Sequence, residues 1–261
     1  MASATTLSTN DSRILAALFD PETLPSSVAK TRDASLISAT LPPLPSLSAA
    51  ALAPLEAAQN SLIARATAAT TSTSTSTSTS SSTAPPSPEI LAAAIAELDD
   101  VVARNPAYPS ARVNRAMLRR LALEAAAAKN EGESESIFSF HPASALAPLF
   151  DDLTAAIALC LPSPSATATP TPTPTPVSAY AARILRSALS HRAYLYLKAA
   201  EAQVPWDGAQ GAELEERASV DFAGAARYGD AVAREMSVRT NPYARACGGI
   251  VREALRGERG E

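Results

Sequence analysis

The strongest constraint on this fold lies near the end of the chain, in residues 219–250, SVDFAGAARYGDAVAREMSVRTNPYARACGGI. Asp221, Phe222, Ala225 and Ala226 lead to Tyr228-Gly229, where glycine can adopt the left-handed conformation that closes a helix. Asp230 suits the N-cap of the next helix, whose apolar residues are Val232, Met236 and Val238. Thr240-Asn241-Pro242-Tyr243 repeats the device. Asn241 suits an N-cap and Pro242 a first helical turn, and a residue before proline is pushed out of the helical region. Short helices punctuated this sharply predict an array of helical hairpins. Residues 219–250 then supply the last repeat helix, a connector helix and the cap that a repeat array needs over its final apolar face. Asn241, Pro242 and Tyr243 are the signature expected to fix the cap's entry angle.

Composition narrows the alternatives. Apolar residues make up 46% of the 261, but much of that is alanine, and aromatics reach only 5%. Alanine favours helix and buries little area per residue, which predicts close-packed helices rather than a sandwich or barrel. A net charge of −4 argues against a general nucleic-acid binder. Cys160 and Cys247 are the only cysteines and do not make a disulfide framework. The opening MASATTLSTNDSR lacks the basic start and apolar run of a secretory signal, and no apolar stretch approaches the roughly 20 residues of a membrane span. The expectation is a cytoplasmic protein with no membrane contact, a nuclear location being compatible.

In chain order, residues 1–46 are expected as an N-terminal arm with a short helix at 10–19, where Ile14, Leu15, Leu18 and Phe19 share a side. Helices are expected over 47–68, 88–105, 109–129, 142–161, 177–203 and 212–228, with a polar break at 130–141. The Ser/Thr tract at 69–88 and the Thr/Pro tract at 163–176 have nothing to bury and are expected as disordered inserts. Removing them exposes a recurring helix pair. The second helices superpose as Ala94-Leu98-Val101-Pro106, Leu149-Leu153-Ala156-Pro162 and Ala218-Phe222-Ala225, with Gly229 in place of the last proline. Two first helices share Asn114-Arg115-Ala116 and His191-Arg192-Ala193. A small residue on each helix and a proline after the second describe the tetratricopeptide pattern. The expected fold is all-α, a short α-solenoid of about three such hairpins within 47–256. Repeat 1 covers 47–106, repeat 2 covers 109–162, repeat 3 covers 177–229, the connector and capping helix cover 230–256, and a tail closes at 257–261.

Four stretches occur in a specific order: NDSRILAALFDP at 10–21, VNRAMLRRL at 113–121, DFAGAARYG at 221–229 and NPYARAC at 241–247. In these the chain resembles the tetratricopeptide repeat protein 36 family. The resemblance implies three repeats between a short N-terminal helix and a C-terminal capping helix. It also implies links to chaperones and to control of a tyrosine-breakdown enzyme. The two inserts and a degenerate first repeat depart from that family.

Signs of catalysis are weak. His141 and His191 are the only histidines, and neither lies in a nucleophile or metal signature. Asp99-Asp100 and Asp151-Asp152 read as solvated helix faces, and Cys247 as a buried structural thiol. No enzyme activity, cofactor or metal is expected. Some tetratricopeptide domains clamp the C-terminal carboxylate of Hsp70- and Hsp90-class chaperones through converging Lys, Asn and Arg donors. By that resemblance Asn114 matches the repeat-two Asn and Asn60 the repeat-one Asn, while Glu56 stands where a Lys would sit. Ser187 and His191 replace the repeat-three Lys and Arg. Arg112, Arg115, Arg119, Arg120, Arg186 and Arg192 offer a different basic lining, unless they are solvated or pair with nearby acids. The function expected is a monomeric, non-catalytic adaptor holding a partner in its concave groove. The groove candidates are Asn60, Asn114, Arg115, Arg119, His191 and Arg192, and the partner is an Hsp70-class chaperone or a metabolic enzyme. The alternative is a structural subunit of a larger assembly.

Overall fold

A computed structural model of the chain describes residues 36–44, 46–68, 87–128, 136–161, 176–243 and 247. Across them run eight helices: α1 (Ala49–Ala68), α2 (Pro88–Arg104), α3 (Pro109–Ala127), α4 (Ile137–Phe140), α5 (Ala143–Cys160), α6 (Ala179–Glu201), α7 (Ala212–Arg227) and α8 (Ala231–Arg239). Two two-residue strands, β1 (Ile37–Ser38) and β2 (Val177–Ser178), pair in parallel. The fold is all-α with this one short pairing added. The helix expected at 10–19, the arm up to residue 35, most of both inserts, most of the cap and the tail lie outside the described residues. Two compact units are present, one formed by residues 34–192 and the other containing the described residues from Ala193 onward.

In the first unit the helix ends follow their capping chemistry. Ser87 Oγ accepts from the Ile90 N–H to start α2, with Pro88 in the first turn where its missing donor costs nothing. Leu91, Ala94, Leu98 and Val102 recur at helical spacing and are buried. Asn105 ends the helix by donating its backbone N–H to Val101 O. Ala116 is fully buried on α3, which packs on both α2 and α5. Leu149, Leu153 and Ala156 of α5 are likewise fully buried, and each leucine sealed this way contributes about 1.5–3 kcal/mol.

The polar break expected at 130–141 is shorter than its sequence suggests. Ser136 caps the single turn of α4, because Ile137 and Phe138 bury, and the Phe138 ring meets Phe150 of α5 edge-on at 6.3 Å. A second expectation is also corrected. By length and composition α5 qualifies as a membrane-crossing helix, although no stretch of the sequence was expected to. Its apolar side is buried in this unit beside an ion-paired Asp152, so its hydrophobicity is that of a core helix.

The arm is fastened across a long sequence separation. Leu36 and Leu44 are buried, Leu44 in the same core as Leu52, Leu62, Leu91 and Tyr108. Ser178 Oγ donates to Pro43 O at 2.6 Å and accepts from the Ala181 N–H at 3.0 Å, capping α6 while holding the arm. Ser178→Ala removes a cap and orphans a carbonyl, so an expected loss of about 2–3 kcal/mol follows. Ser178→Thr should recover most of it. Urea unfolding of the two variants checks this, and equal stabilities of wild type and Ser178→Ala would count against the double role.

In the second unit, Gln203, Asp207, Gly208 and Gly211 all have positive φ, so the chain between α6 and α7 turns in left-handed steps. Arg217 steadies that turn by donating to the Asp207 carboxylate at 3.0 Å. α7 buries Leu214, Ala218, Phe222, Ala225 and Ala226 and ends at Gly229, whose φ of 95° is a left-handed stop. Asp230 accepts from the Ala233 N–H to start α8, which packs on α7. Ser219 Oγ donates to Ser237 O at 2.7 Å between these two helices. Asn241 Oδ1 accepts from the Tyr243 N–H at 2.9 Å, while Pro242, Tyr243 and Cys247 are helical. Cys247 is exposed, on the solvent side, and is not the buried thiol expected.

Candidate functional site

The densest polar cluster is built on α3. Arg112, Arg115 and Arg119 recur at three- and four-residue spacing, so one helix face carries all three guanidinium groups. Asp99 on α2 and Asp152 on α5 meet them. Arg115 Nε donates to Asp152 Oδ2 at 2.8 Å, and its Nη2 closes a bidentate pair with Oδ1. The remaining nitrogen, Nη1, reaches Asp99 Oδ1 at 2.7 Å. Arg119 repeats the bridge, 3.0 Å to Asp152 and 3.1 Å to Asp99. Arg112 lies 3.7 Å from Asp152 and donates to Pro106 O. The side chain of Asp152 is 3% exposed and that of Asp99 48% exposed. The hydrogen bond to Asp152 raises the Arg115 pKa further above its already high value, against the opposing effect of burial.

This corrects the reading of Asp151-Asp152 as a solvated pair. One helical step separates them by about 100°, which leaves Asp151 exposed and turns Asp152 inward. A sequence signal for it exists. Aligned on the second helices, an acid precedes the buried residue each time: Glu97-Leu98, Asp152-Leu153 and Asp221-Phe222. Glu97 takes Arg65 at 2.8 Å, and Asp221 is buried.

Among the sequence-derived candidates, Arg115 and Arg119 thus come together, but on internal carboxylates. Asn114 is half-buried on the same helix. Asn60 is exposed on α1, and no described contact joins it to the cluster. Glu56 of α1 pairs with Arg183 of α6 at 2.7 Å. Arg192 Nη1 donates to Thr154 Oγ1 at 3.1 Å. The His191 Nε2 is sealed from solvent without a hydrogen-bond partner. Burial, and then the positive charge of Arg120, lower its pKa to about 4. His141 instead bonds Leu123 O at 2.9 Å. Asn241 and Pro242 are half-buried, and Tyr243 is 66% exposed.

The ion pairs of this cluster brace α2 and α5 against α3. Burial pushes the Cys160 thiol up to about 12, far from a thiolate nucleophile at neutral pH. Among the described residues, no group of three or more His, Cys, Asp and Glu side chains is placed to hold a metal ion.

No family model matches the chain, and no solved structure matches it. It is 38% identical over 280 residues to the L-tyrosine degradation gene cluster protein hmgX of Aspergillus fumigatus, an alignment spanning 99% of this chain and 98% of the relative.

Proposed function

This chain belongs to the family of the L-tyrosine degradation gene cluster protein hmgX, and we propose that it serves L-tyrosine breakdown as a non-catalytic adaptor in the cytoplasm. The full-length likeness carries the metabolic half of this reading. The adaptor half is supported by the packing register expected of tetratricopeptide hairpins. Ala94, Leu98, Leu149, Leu153, Ala156, Ala218, Phe222 and Ala225 are buried at their aligned positions, and Val101 is half-buried. That register also keeps the kinship to the tetratricopeptide repeat protein 36 family within the proposal. A non-catalytic role is favoured because Asp152 is committed to three arginines and Cys160 to the core.

The partner we favour is an enzyme of tyrosine breakdown over an Hsp70-class chaperone. Arg115 and Arg119, two of the cations that would recognise a chaperone's terminal carboxylate, are already bound to Asp152 and Asp99. Deleting the gene should abolish or slow growth on L-tyrosine as sole carbon source while leaving growth on acetate unchanged. Affinity capture from tyrosine-fed cells should recover a tyrosine-degrading enzyme, and purified protein mixed with that enzyme should form a complex. Normal growth of the deletion strain on tyrosine would sink the metabolic role; growth loss without any complex would sink the adaptor role. Val220 and Val232, 65% and 70% exposed on α7 and α8, favour a second reading as a structural subunit of a larger assembly. Light scattering on the purified chain and on lysate fractions separates the two.

A further inference from the structure

Four polar side chains meet within residues 34–192 where α1, the start of α3 and the start of α6 come together. Gln59 of α1 is 5% exposed and donates its Nε2 to Ser110 Oγ at 2.8 Å. Its Oε1 is sealed from solvent and accepts nothing. Tyr108 is fully buried and Tyr180 half-buried, and both hydroxyls are sealed and without a hydrogen-bond partner. These hydroxyls nevertheless lie beside one another, and that of Tyr108 lies beside Ser110. They are close enough to interact, yet neither makes a hydrogen bond of regular geometry. Above them Arg183 sits 5.0 Å over the Tyr180 ring and pairs with Glu56, which closes the rim. Below, Tyr108 belongs to the apolar core of Leu44, Leu52 and Leu62.

We propose that this junction binds an ordered water molecule as a permanent part of the fold. Buried polar atoms left without partners are rare, and each costs more than immobilising a water does. The junction holds three orphans, linked through Ser110: one acceptor, Gln59 Oε1, and two hydroxyls that both donate and accept. A buried water typically makes about three hydrogen bonds. It donates to Gln59 Oε1 and to one tyrosine oxygen and accepts from the other tyrosine. The ligand is neutral. Burial raises the pKa of both phenols, so neither supplies a negative charge for a cation, and Glu56 is already paired with Arg183 at the rim. The water would tie together the first helices of all three expected hairpins, since α1, the N-cap residue of α3 and α6 each contribute a partner. This inference does not depend on the proposed role in tyrosine breakdown.

Magnetic relaxation dispersion of water deuterons on the full chain counts long-lived internal waters directly. The double variant Y108F/Y180F should lose one such water relative to wild type while its helical circular dichroism is unchanged. An equal count in the two proteins would overturn the proposal. If the double variant does not fold, Tyr180→Phe alone tests the same site and should shorten the residence time of one water at least tenfold; an unchanged residence time would overturn it. In a crystal of the wild-type protein, density bridging Gln59 and both phenols supports the site, and a direct Tyr108–Tyr180 hydrogen bond with no bridging density refutes it.

Discussion

Asp152→Ala should destabilise the protein by about 3–5 kcal/mol, the usual consequence of removing one partner from a buried ion pair. The carboxylate is almost wholly buried and faces three guanidinium groups of one helix. Without it, Arg112, Arg115 and Arg119 repel one another, and Asp99 alone remains to offset them. Asp99→Ala is the contrast. That carboxylate is half-exposed, and exposed pairs contribute about 0–1 kcal/mol. Added salt should narrow the Asp99 effect and leave the Asp152 effect nearly unchanged, because buried pairs are screened less. Replacing both halves, as in Arg115→Met with Asp152→Leu, should restore much of the loss, since an apolar pair of similar volume avoids desolvating charges. Urea unfolding of the single and double variants completes the cycle. If Asp152→Ala and Asp99→Ala cost the same, the buried bridge is not what joins α2, α3 and α5.

The contrast between these aspartates shows what the sequence discloses. Helix ends were legible because capping is local: Asn105-Pro106, Tyr228-Gly229-Asp230 and Asn241-Pro242 each state their geometry within four residues. The buried stripes of α2, α5 and α7 were legible from spacing. Asp152 was not legible locally, because adjacent acids look alike until a neighbouring helix selects one of them; only the alignment of the second helices singles it out. The arm's pairing with Val177–Ser178 spans more than 130 residues, and nothing local in Ile37-Ser38 announces it. The turn of α4 was obscured by the polar residues before it. For the candidate site, residue types identified the cations of α3 but not their partners. A basic face on a helix is compatible with an anionic ligand or with internal acids, and only the packing of α2 and α5 decides.

His191 supplies the second large effect, and it appears as a pH dependence. In the folded chain its pKa is about 4, lowered by burial and then by Arg120, the charged group that faces it from α3. In the unfolded chain it returns to about 6.5. Between these values the unfolded state binds more protons, so stability falls as pH drops through 6.5 towards 4 and is unaffected above about 7.5. The full interval is worth at most about 3 kcal/mol, and by pH 5 roughly 2 kcal/mol of it should be gone. His191→Gln removes the titrating group while keeping a polar side chain of similar reach. Carboxylates and His141 remain common to both proteins, so the difference between their acid limbs isolates His191. Measured as urea midpoints at pH 7.5 and pH 5, wild type should lose roughly 2 kcal/mol more than the variant; parallel curves would mean that the imidazole protonates in place. Arg120→Gln should raise the His191 pKa, so that the acid loss still begins near pH 6.5 but is smaller and levels off at a higher pH, because one positive neighbour is gone. Desolvation is the larger cause, however, so the shift should be partial. A complete reversal would assign the effect to charge and would require His191 to be hydrated.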